Sequence, residues 1–171
     1  MIGKVNTFYK QNTPFALMIG GCFIAASLTA FNTSGIIYGN NFLDKTIMFL
    51  YIIGLFIQIR KYRESKELGG AITFGKALTT GIWISLICSV LYAVYTGMMY
   101  RIYPELLEHY LNFTEQVMNE AYPDSDWAEN MNKLMRAITT PFVLGFAELF
   151  SKIISGTLYS LLIAAILRKQ N

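Results

Sequence analysis

Long apolar runs separated by short polar segments dominate the pattern of this chain. Spanning a membrane takes roughly 20 mostly apolar residues in a helix, and four runs qualify: 14–33, 42–59, 74–99 and 140–167. No alternation of apolar and polar positions competes with them, as membrane-spanning strands would require. Because backbone groups in lipid must be paired within their own segment, the pattern predicts an all-α bundle of four spanning helices, a single membrane domain over residues 1–171.

The run over residues 14–33 also resembles a secretory signal. Lys4 and Lys10 precede it, and IGGC at residues 19–22 is loosely similar to a lipoprotein cleavage box. The apolar residues continue past this box to Phe31, whereas a signal peptide has a short apolar core followed by polar sequence. An uncleaved first span is therefore the preferred interpretation, with Pro14 in its first helical turn.

Composition favours lipid as the surroundings of most of the chain. Its 171 residues are 54% hydrophobic, with a mean hydropathy of +0.40. Charged residues make up 15%, against roughly 25% in a soluble domain. A formal net charge of +3 is too small to indicate nucleic-acid binding. We therefore expect an integral membrane protein whose main partner is the lipid bilayer, and no nucleic-acid partner.

Basic residues collect at one end of the predicted spans. They comprise Lys4 and Lys10 before the first span, the loop over residues 60–70, and Arg168 and Lys169 after the last span. The turn at the other end, residues 32–41, carries no charge. Since Lys and Arg in short flanks favour the cytoplasmic side, the sequence predicts a multi-pass protein with both termini and the 60–70 loop in the cytoplasm.

The predicted cytoplasmic loop holds four cations, Arg60, Lys61, Arg63 and Lys66. The simpler interpretation is a topology signal, partly neutralised by acidic neighbours. The alternative is contact with the headgroup of an anionic lipid or a polyprenyl phosphate. These four residues are therefore candidate headgroup-contacting residues.

The sequence of residues 101–138 predicts an extracytoplasmic helical hairpin. The segment has seven acidic residues against three basic ones. Pro104 can open the first helix, and YPDSD at residues 122–126 can break it before a second. In the second helix one face carries Trp127, Met131, Leu134, Met135 and Ile138. We expect this apolar side to lie against the span ends or the lipid interface, while the acidic side is either solvated or binds a cation or basic partner.

The clearest candidate site lies inside the fourth span, where Glu148 and Lys152 share one helix face at a spacing of four. Ionisable groups in a span are costly and often functional. Small or polar residues on this and other spans are candidate neighbours: Ser155, Tyr159, Ser85, Tyr92 and Asp44. The pair either fixes helix register or serves a proton, an ion or a lipid headgroup.

Patterns for catalysis or cofactor binding are weak. His109 is the only histidine, and Cys22 and Cys88 lie in apolar runs without nearby metal ligands. There is no nucleophile elbow and no pair of carboxylates at the water interface. The sequence therefore predicts no metal, no cofactor and no enzyme activity.

Residues 69–111, GGAITFGKALTTGIWISLICSVLYAVYTGMMYRIYPELLEHYL, carry a family resemblance. The Gly-Gly turn, the Phe-Gly-Lys-Ala helix start and Tyr-Pro-Glu-Leu-Leu-Glu resemble domain-of-unknown-function family 4199, a family of small bacterial membrane proteins. The resemblance implies four spans, a long acidic loop between the third and fourth, and the inner membrane of a Gram-negative cell. It brings no catalytic residues.

Together these features favour a non-enzymatic membrane scaffold or accessory partner. The resemblance implies a neighbouring glycosyltransferase of the polyprenyl-phosphate type as partner, and self-association is the other possibility. The main alternative is a small transporter, or a protein that binds an ion or lipid headgroup, using Glu148 and Lys152. An enzyme acting on lipid substrates ranks last.

Overall fold

The computed structural model describes residues 2–123 and 125–168, with side chains from residue 7 onward. Asp124, Lys169 and the side chain of Lys4, on which the sequence interpretation partly depends, lie outside the described residues. The described part is all-α and has no β-strand. Its helices are α1 (Ile2–Ser34), α2 (Asn41–Arg63), α3 (Phe74–Ile102), α4 (Pro104–Ala121), α5 (Asp126–Ile138) and α6 (Pro141–Leu167).

Four of the described helices are long and apolar enough to cross a membrane, as the hydrophobic pattern predicts. They are Thr7–Ser34 within α1, and the whole of α2, α3 and α6. Their ends extend past the apolar runs, since α2 continues through the basic residues to Arg63 and α3 continues to Ile102.

The largest difference from the sequence interpretation is at the start of α1. Pro14 lies inside this helix and not in its first turn, although it removes one backbone hydrogen bond. Tertiary contacts hold the preceding residues against the bundle. Asn12 is buried and accepts a hydrogen bond of 2.9 Å from Gln58 Nε2, and Thr13 Oγ1 accepts one of 3.2 Å from Trp83 Nε1.

Helices α1, α2, α6 and α3 form a closed ring of neighbours, in that order. The α3–α6 interface is the most extensive, and α3 also contacts α2 across the ring. Successive spans run in opposite directions, so α2 ends and α3 begins at the same end of the bundle. We call this the basic end, because residues 60–70 lie there. At the same end the Arg63 guanidinium reaches the last turn of α6, where Nη1 is 3.4 Å from the Leu167 carbonyl oxygen.

Glycines allow α3 and α6 to approach closely. A Cβ added at Gly145 would lie 2.9 Å from the Ala93 carbonyl oxygen. One added at Gly156 would overlap the Tyr51 phenol and the Ser85 hydroxyl. Such close approach of backbones is typical of helix packing in membranes. Helices in lipid associate mainly through van der Waals packing, which small residues allow.

Helices α4 and α5 occupy the segment for which the sequence predicts two helices. α4 contacts α3 and α5. Arg136 of α5 joins them through three α4 side chains: Nη2 lies 2.8 Å from Glu115 and 2.6 Å from Asn112, and Nη1 lies 3.3 Å from Glu108. Asn132 Nδ2 adds a hydrogen bond of 3.0 Å to Asn119 Oδ1.

The apolar face of α5 points away from the bundle. Trp127, Leu134 and Ile138 are about half exposed, whereas Ala128 and Asn132 are buried. Met131 and Met135 of the same face are half-buried, so this face is covered only in part by the described residues.

Candidate functional site

Glu148 and Lys152 form an ion pair one turn apart on α6. Glu148 Oε2 lies 3.3 Å from Lys152 Nζ, and the two side chains are 27% and 17% exposed. The carboxylate is nearer the helix N-terminus, which is the favourable order for such a pair. Glu148 Oε2 has no hydrogen bond of good geometry from the described residues, so the two groups attract each other mainly as charges. Separating the two charges would leave each of them partly buried without a counter-charge, which is energetically unfavourable.

Two tyrosines from other helices hold Lys152 in place. Its ammonium lies 5.4 Å from the centre of the Tyr92 ring of α3, within range of a cation–π interaction. Its backbone carbonyl accepts a hydrogen bond of 3.0 Å from the Tyr51 phenol of α2. The predicted pair therefore sits where α2, α3 and α6 meet.

The other predicted neighbours on α3 and α6 are Ser85, Tyr159 and Ser155, and they contact the helices around the pair. Ser85 donates a hydrogen bond of 2.8 Å back to the Gly81 carbonyl of its own helix and faces Gly156. Tyr159 packs edge-to-face on Tyr51, with ring centroids 5.9 Å apart. Ser155 is half-buried on α6. These contacts describe helix packing more than a binding cavity.

Asp44 lies in the first turn of α2 and is exposed. It contributes to the electrostatic surroundings of Tyr38, in the turn between α1 and α2. Burial is the main cause that raises the pKa of the Tyr38 phenol, and Tyr110, Glu148 and Asp44 raise it further. Sequence reasoning missed Tyr38, because a single tyrosine in an uncharged turn carries no pattern.

Several buried oxygens of the candidate spans lack a hydrogen bond of good geometry within the described residues. Besides Glu148 Oε2 they include the hydroxyls of Ser27, Tyr95 and Thr96. Ser27 faces the phenols of Tyr92 and Tyr95. Buried polar groups are usually paired with protein or ordered water. Ser27 and Tyr95 can pair with each other, whereas Thr96 Oγ1 and Glu148 Oε2 have no hydrogen-bond partner within the described residues.

The four cations of the 60–70 loop point in different directions. Arg60, Lys61 and Lys66 line a cleft between α1 and α2, whereas Arg63 turns to the end of α6. Glu64 accepts hydrogen bonds of 3.0 Å from Arg60 Nε and 3.2 Å from Arg63 Nη2. These two guanidinium groups lower the pKa of the Glu64 carboxyl.

No group of three or more potential metal ligands of the His, Cys, Asp or Glu type occurs within residues 2–123 and 125–168. His109 is exposed on α4. Cys88 is buried and donates to the Ile84 carbonyl oxygen at 2.6 Å, and Cys22 is exposed.

The fold and this site define a class: an all-α protein with four helices long and apolar enough to span a membrane, which fits a multi-pass membrane protein. Residues 14–169 match the family described as "Protein of unknown function (DUF4199)", and the chain belongs to this family. The family named from residues 69–111 is thus confirmed, over most of the chain. No curated protein and no solved structure gave a match.

Proposed function

We propose that this protein is a non-enzymatic accessory component of a bacterial inner membrane, which binds another membrane protein and carries out no reaction itself. One observation carries the proposal: the two charged groups of the fourth span contact each other, and so do two buried amides of the first and second spans. Glu148 pairs with Lys152, and Gln58 pairs with Asn12. Groups used in this way stabilise helix packing, which leaves the outward surface of the bundle for a partner.

The groove between α3 and α6 is the surface best suited to a partner. It encloses about 590 Å³ and is lined by apolar or small residues such as Val94, Gly97, Phe142 and Phe146. Because lipid provides no hydrophobic force between helices, close approach over small residues is what favours their association. The proposed occupant is an apolar membrane helix of the partner. The family resemblance implies a glycosyltransferase acting on polyprenyl phosphate as the source of that helix.

An affinity purification from native membranes in mild detergent, followed by mass spectrometry, tests this function. Three baits are compared: the unmodified chain, Val94→Trp in the groove, and Ile166→Trp, a matched control on an outward position of α6 that is 72% exposed. We expect one membrane enzyme to accompany the unmodified chain and Ile166→Trp but not Val94→Trp. Recovery of the chain alone, together with full activity of neighbouring enzymes in a deletion strain, would contradict the proposal.

The orientation belongs to the same proposal: both termini and the 60–70 loop are cytoplasmic. The basic residues Arg60, Lys61 and Lys66 near the ends of α2 and α3 support it. In a chain whose native cysteines are replaced by alanine, Lys66→Cys should react with a membrane-impermeant reagent only after permeabilisation, and Asn130→Cys should react in intact cells. The reverse labelling would overturn this orientation.

A second candidate function is passage or binding of an ion or polar headgroup at the Glu148–Lys152 pair. The observation that favours it is that Glu148 Oε2, although buried, has no hydrogen-bond partner within the described residues. It predicts that liposomes containing the purified protein show a flux that Glu148→Gln abolishes while the variant still folds. No flux from the unmodified protein would count against this second function and in favour of the first.

A further inference from the structure

A cleft of about 970 Å³ opens between α1 and α2 at the basic end of the bundle. We call it the α1–α2 cleft; it lies between residues 10–18 of α1 and 56–66 of α2 and the turn that follows. Its position differs from that of the Glu148–Lys152 pair, which lies where α2, α3 and α6 meet. It is also separate from the proposed partner groove, whose lining comes from α3 and α6.

The mouth of the cleft is positively charged. Lys10, Arg60, Lys61 and Lys66 line it, and the lining includes one carboxylate, Glu64. Lys10, Lys61 and Lys66 make no ion pair within the described residues, whereas Arg60 bonds Glu64. Lys10 belongs to α1, so the charge is assembled from two helices and is more than a property of the loop sequence. Such a mouth attracts an anion.

The inner part of the cleft is apolar. Pro14, Phe15 and Met18 of α1 face Phe56 and Ile57 of α2. From Lys10 to Met18 the α-helix rises about 12 Å, at 1.5 Å per residue. A ligand that fills the cleft therefore has an anionic end at the mouth and an apolar body along the helices.

A buried polar atom without a partner provides an independent indication of a ligand. Gln58 is 2% exposed and lines the cleft. Its Nε2 donates to Gln11 O at 3.0 Å and to Asn12 Oδ1 at 2.9 Å, which fixes the amide, but its Oε1 accepts no hydrogen bond from the described residues. The Ser65 hydroxyl, also in the lining, has no partner among the described residues either. Buried polar atoms are usually paired with protein, water or a ligand, and these two are not paired with protein.

We propose that the α1–α2 cleft binds an anionic phospholipid, its phosphate at Lys10, Lys61 and Lys66 and one acyl chain against Phe15 and Phe56. The combination of a cationic mouth and an apolar interior distinguishes this occupant from a free phosphate, which would need only the mouth. Glu64 limits the affinity for the phosphate, because it forms an ion pair with Arg60 and its negative charge repels an anion.

Native mass spectrometry of the detergent-purified full chain tests the proposal with phosphatidylglycerol as the probe and phosphatidylcholine of the same chains as the neutral comparison. Lys10→Gln should weaken phosphatidylglycerol binding about fivefold, the equivalent of about 1 kcal/mol for one basic residue at an anionic headgroup. Lys76→Gln is the matched control, because Lys76 is exposed at the basic end but does not line the cleft. Glu64→Gln should strengthen binding by a similar factor. Thermal unfolding confirms that each variant is folded.

The two lysine variants separate a defined site from a diffuse attraction of lipid to the basic end. Equal weakening by Lys10→Gln and Lys76→Gln would overturn the cleft in favour of that diffuse attraction. Equal affinity for the two lipids, or weaker binding by Glu64→Gln, would overturn the assignment of an anionic headgroup. Displacement of phosphatidylglycerol by millimolar glycerol phosphate would overturn the role of the apolar interior. Binding of the lipid by a chain that purifies without any partner protein supports the site independently of the proposed accessory function.

Discussion

The phenol of Tyr51 on α2 donates a hydrogen bond of 3.0 Å to the backbone carbonyl of Lys152 on α6, which joins two helices far apart in the sequence. Tyr51 is 1% exposed. Replacing it with phenylalanine removes this bond and keeps the ring. We expect Tyr51→Phe to lower the free energy of unfolding by about 0.6–1 kcal/mol, the usual net contribution of such a bond. Unfolding in detergent with increasing SDS measures the loss.

The matched control is Tyr9→Phe, since Tyr9 is 42% exposed on α1. That variant should unfold at the same SDS fraction as the unmodified protein. Equal losses from both variants would indicate that the Tyr51 bond does not contribute.

The Glu148–Lys152 pair can be tested with a double-mutant cycle. Glu148→Gln or Lys152→Met alone leaves an unpaired charge and should cost about 1–3 kcal/mol, less than a fully buried pair because both side chains retain some exposure. The double variant should be more stable than at least one of the singles, because it leaves no unpaired charge. Additive losses in unfolding experiments would show that the two side chains are not coupled.

Gly145→Ala tests the close approach of α6 to α3. The new methyl group would lie 2.9 Å from the Ala93 carbonyl oxygen, a backbone atom that cannot rotate away. We expect a loss of stability of about 1–3 kcal/mol from overpacking. At Gly21 an added Cβ meets nothing within 4 Å among the described residues, so Gly21→Ala should cause no loss of stability, because alanine favours a helix more than glycine does. An equal effect at both glycines would contradict this account.

Arg136 is expected to hold α5 against α4, because it contacts Glu108, Asn112 and Glu115 at once. Arg136→Gln should increase deuterium uptake across α5 while the four candidate spans keep their protection. Lys133→Gln is the control, because the ion pair of Lys133 within the described residues is with Glu129 of the same helix. An α5 that stays protected in Arg136→Gln would show that further contacts, such as Asn132 with Asn119, are sufficient.

Glu64 should titrate below the ordinary carboxyl value of 4.5, because hydrogen bonds from Arg60 and Arg63 lower its pKa. A carboxyl whose pKa is lowered by folding stabilises the fold above its unfolded pKa. That contribution is lost as the pH falls through the lowered folded value. Carbon NMR of labelled glutamate measures the midpoint, and Arg60→Gln should move it back up towards 4.5. A midpoint that does not respond to this change would contradict the assignment.

The spans could be predicted because their signal is local. A run such as residues 74–99 is apolar over enough length to span whatever packs beside it. The spacing of Glu148 and Lys152 is also local, since a helix brings residues four apart onto one face. The start of α1 depends instead on Asn12, Thr13 and their partners Gln58 and Trp83 in other helices. A prediction that starts α1 at Pro14 cannot include those contacts.

The α1–α2 cleft could be predicted only in part for the same reason. The charges of residues 60–66 are visible as a run, and that run led to a headgroup interpretation. The contribution of Lys10 and the unpaired Gln58 oxygen require that α1 and α2 be neighbours. Arg63 belongs to the same run but lies at the end of α6, and the sequence alone does not show this.

The hydroxyls on the buried face of α3 have a consequence for assembly. Thr80 and Ser89, like Ser85, donate to carbonyl oxygens four residues earlier in their own helix. Helix α6 follows α4 and α5 in the chain, so it is synthesised well after α3. The interface between α3 and α6 is nevertheless the most extensive one of α3. In a bilayer α3 can be inserted before α6 with these hydroxyls already satisfied. When α6 is inserted later, it adds close packing to α3, but α3 does not need α6 for those hydrogen bonds.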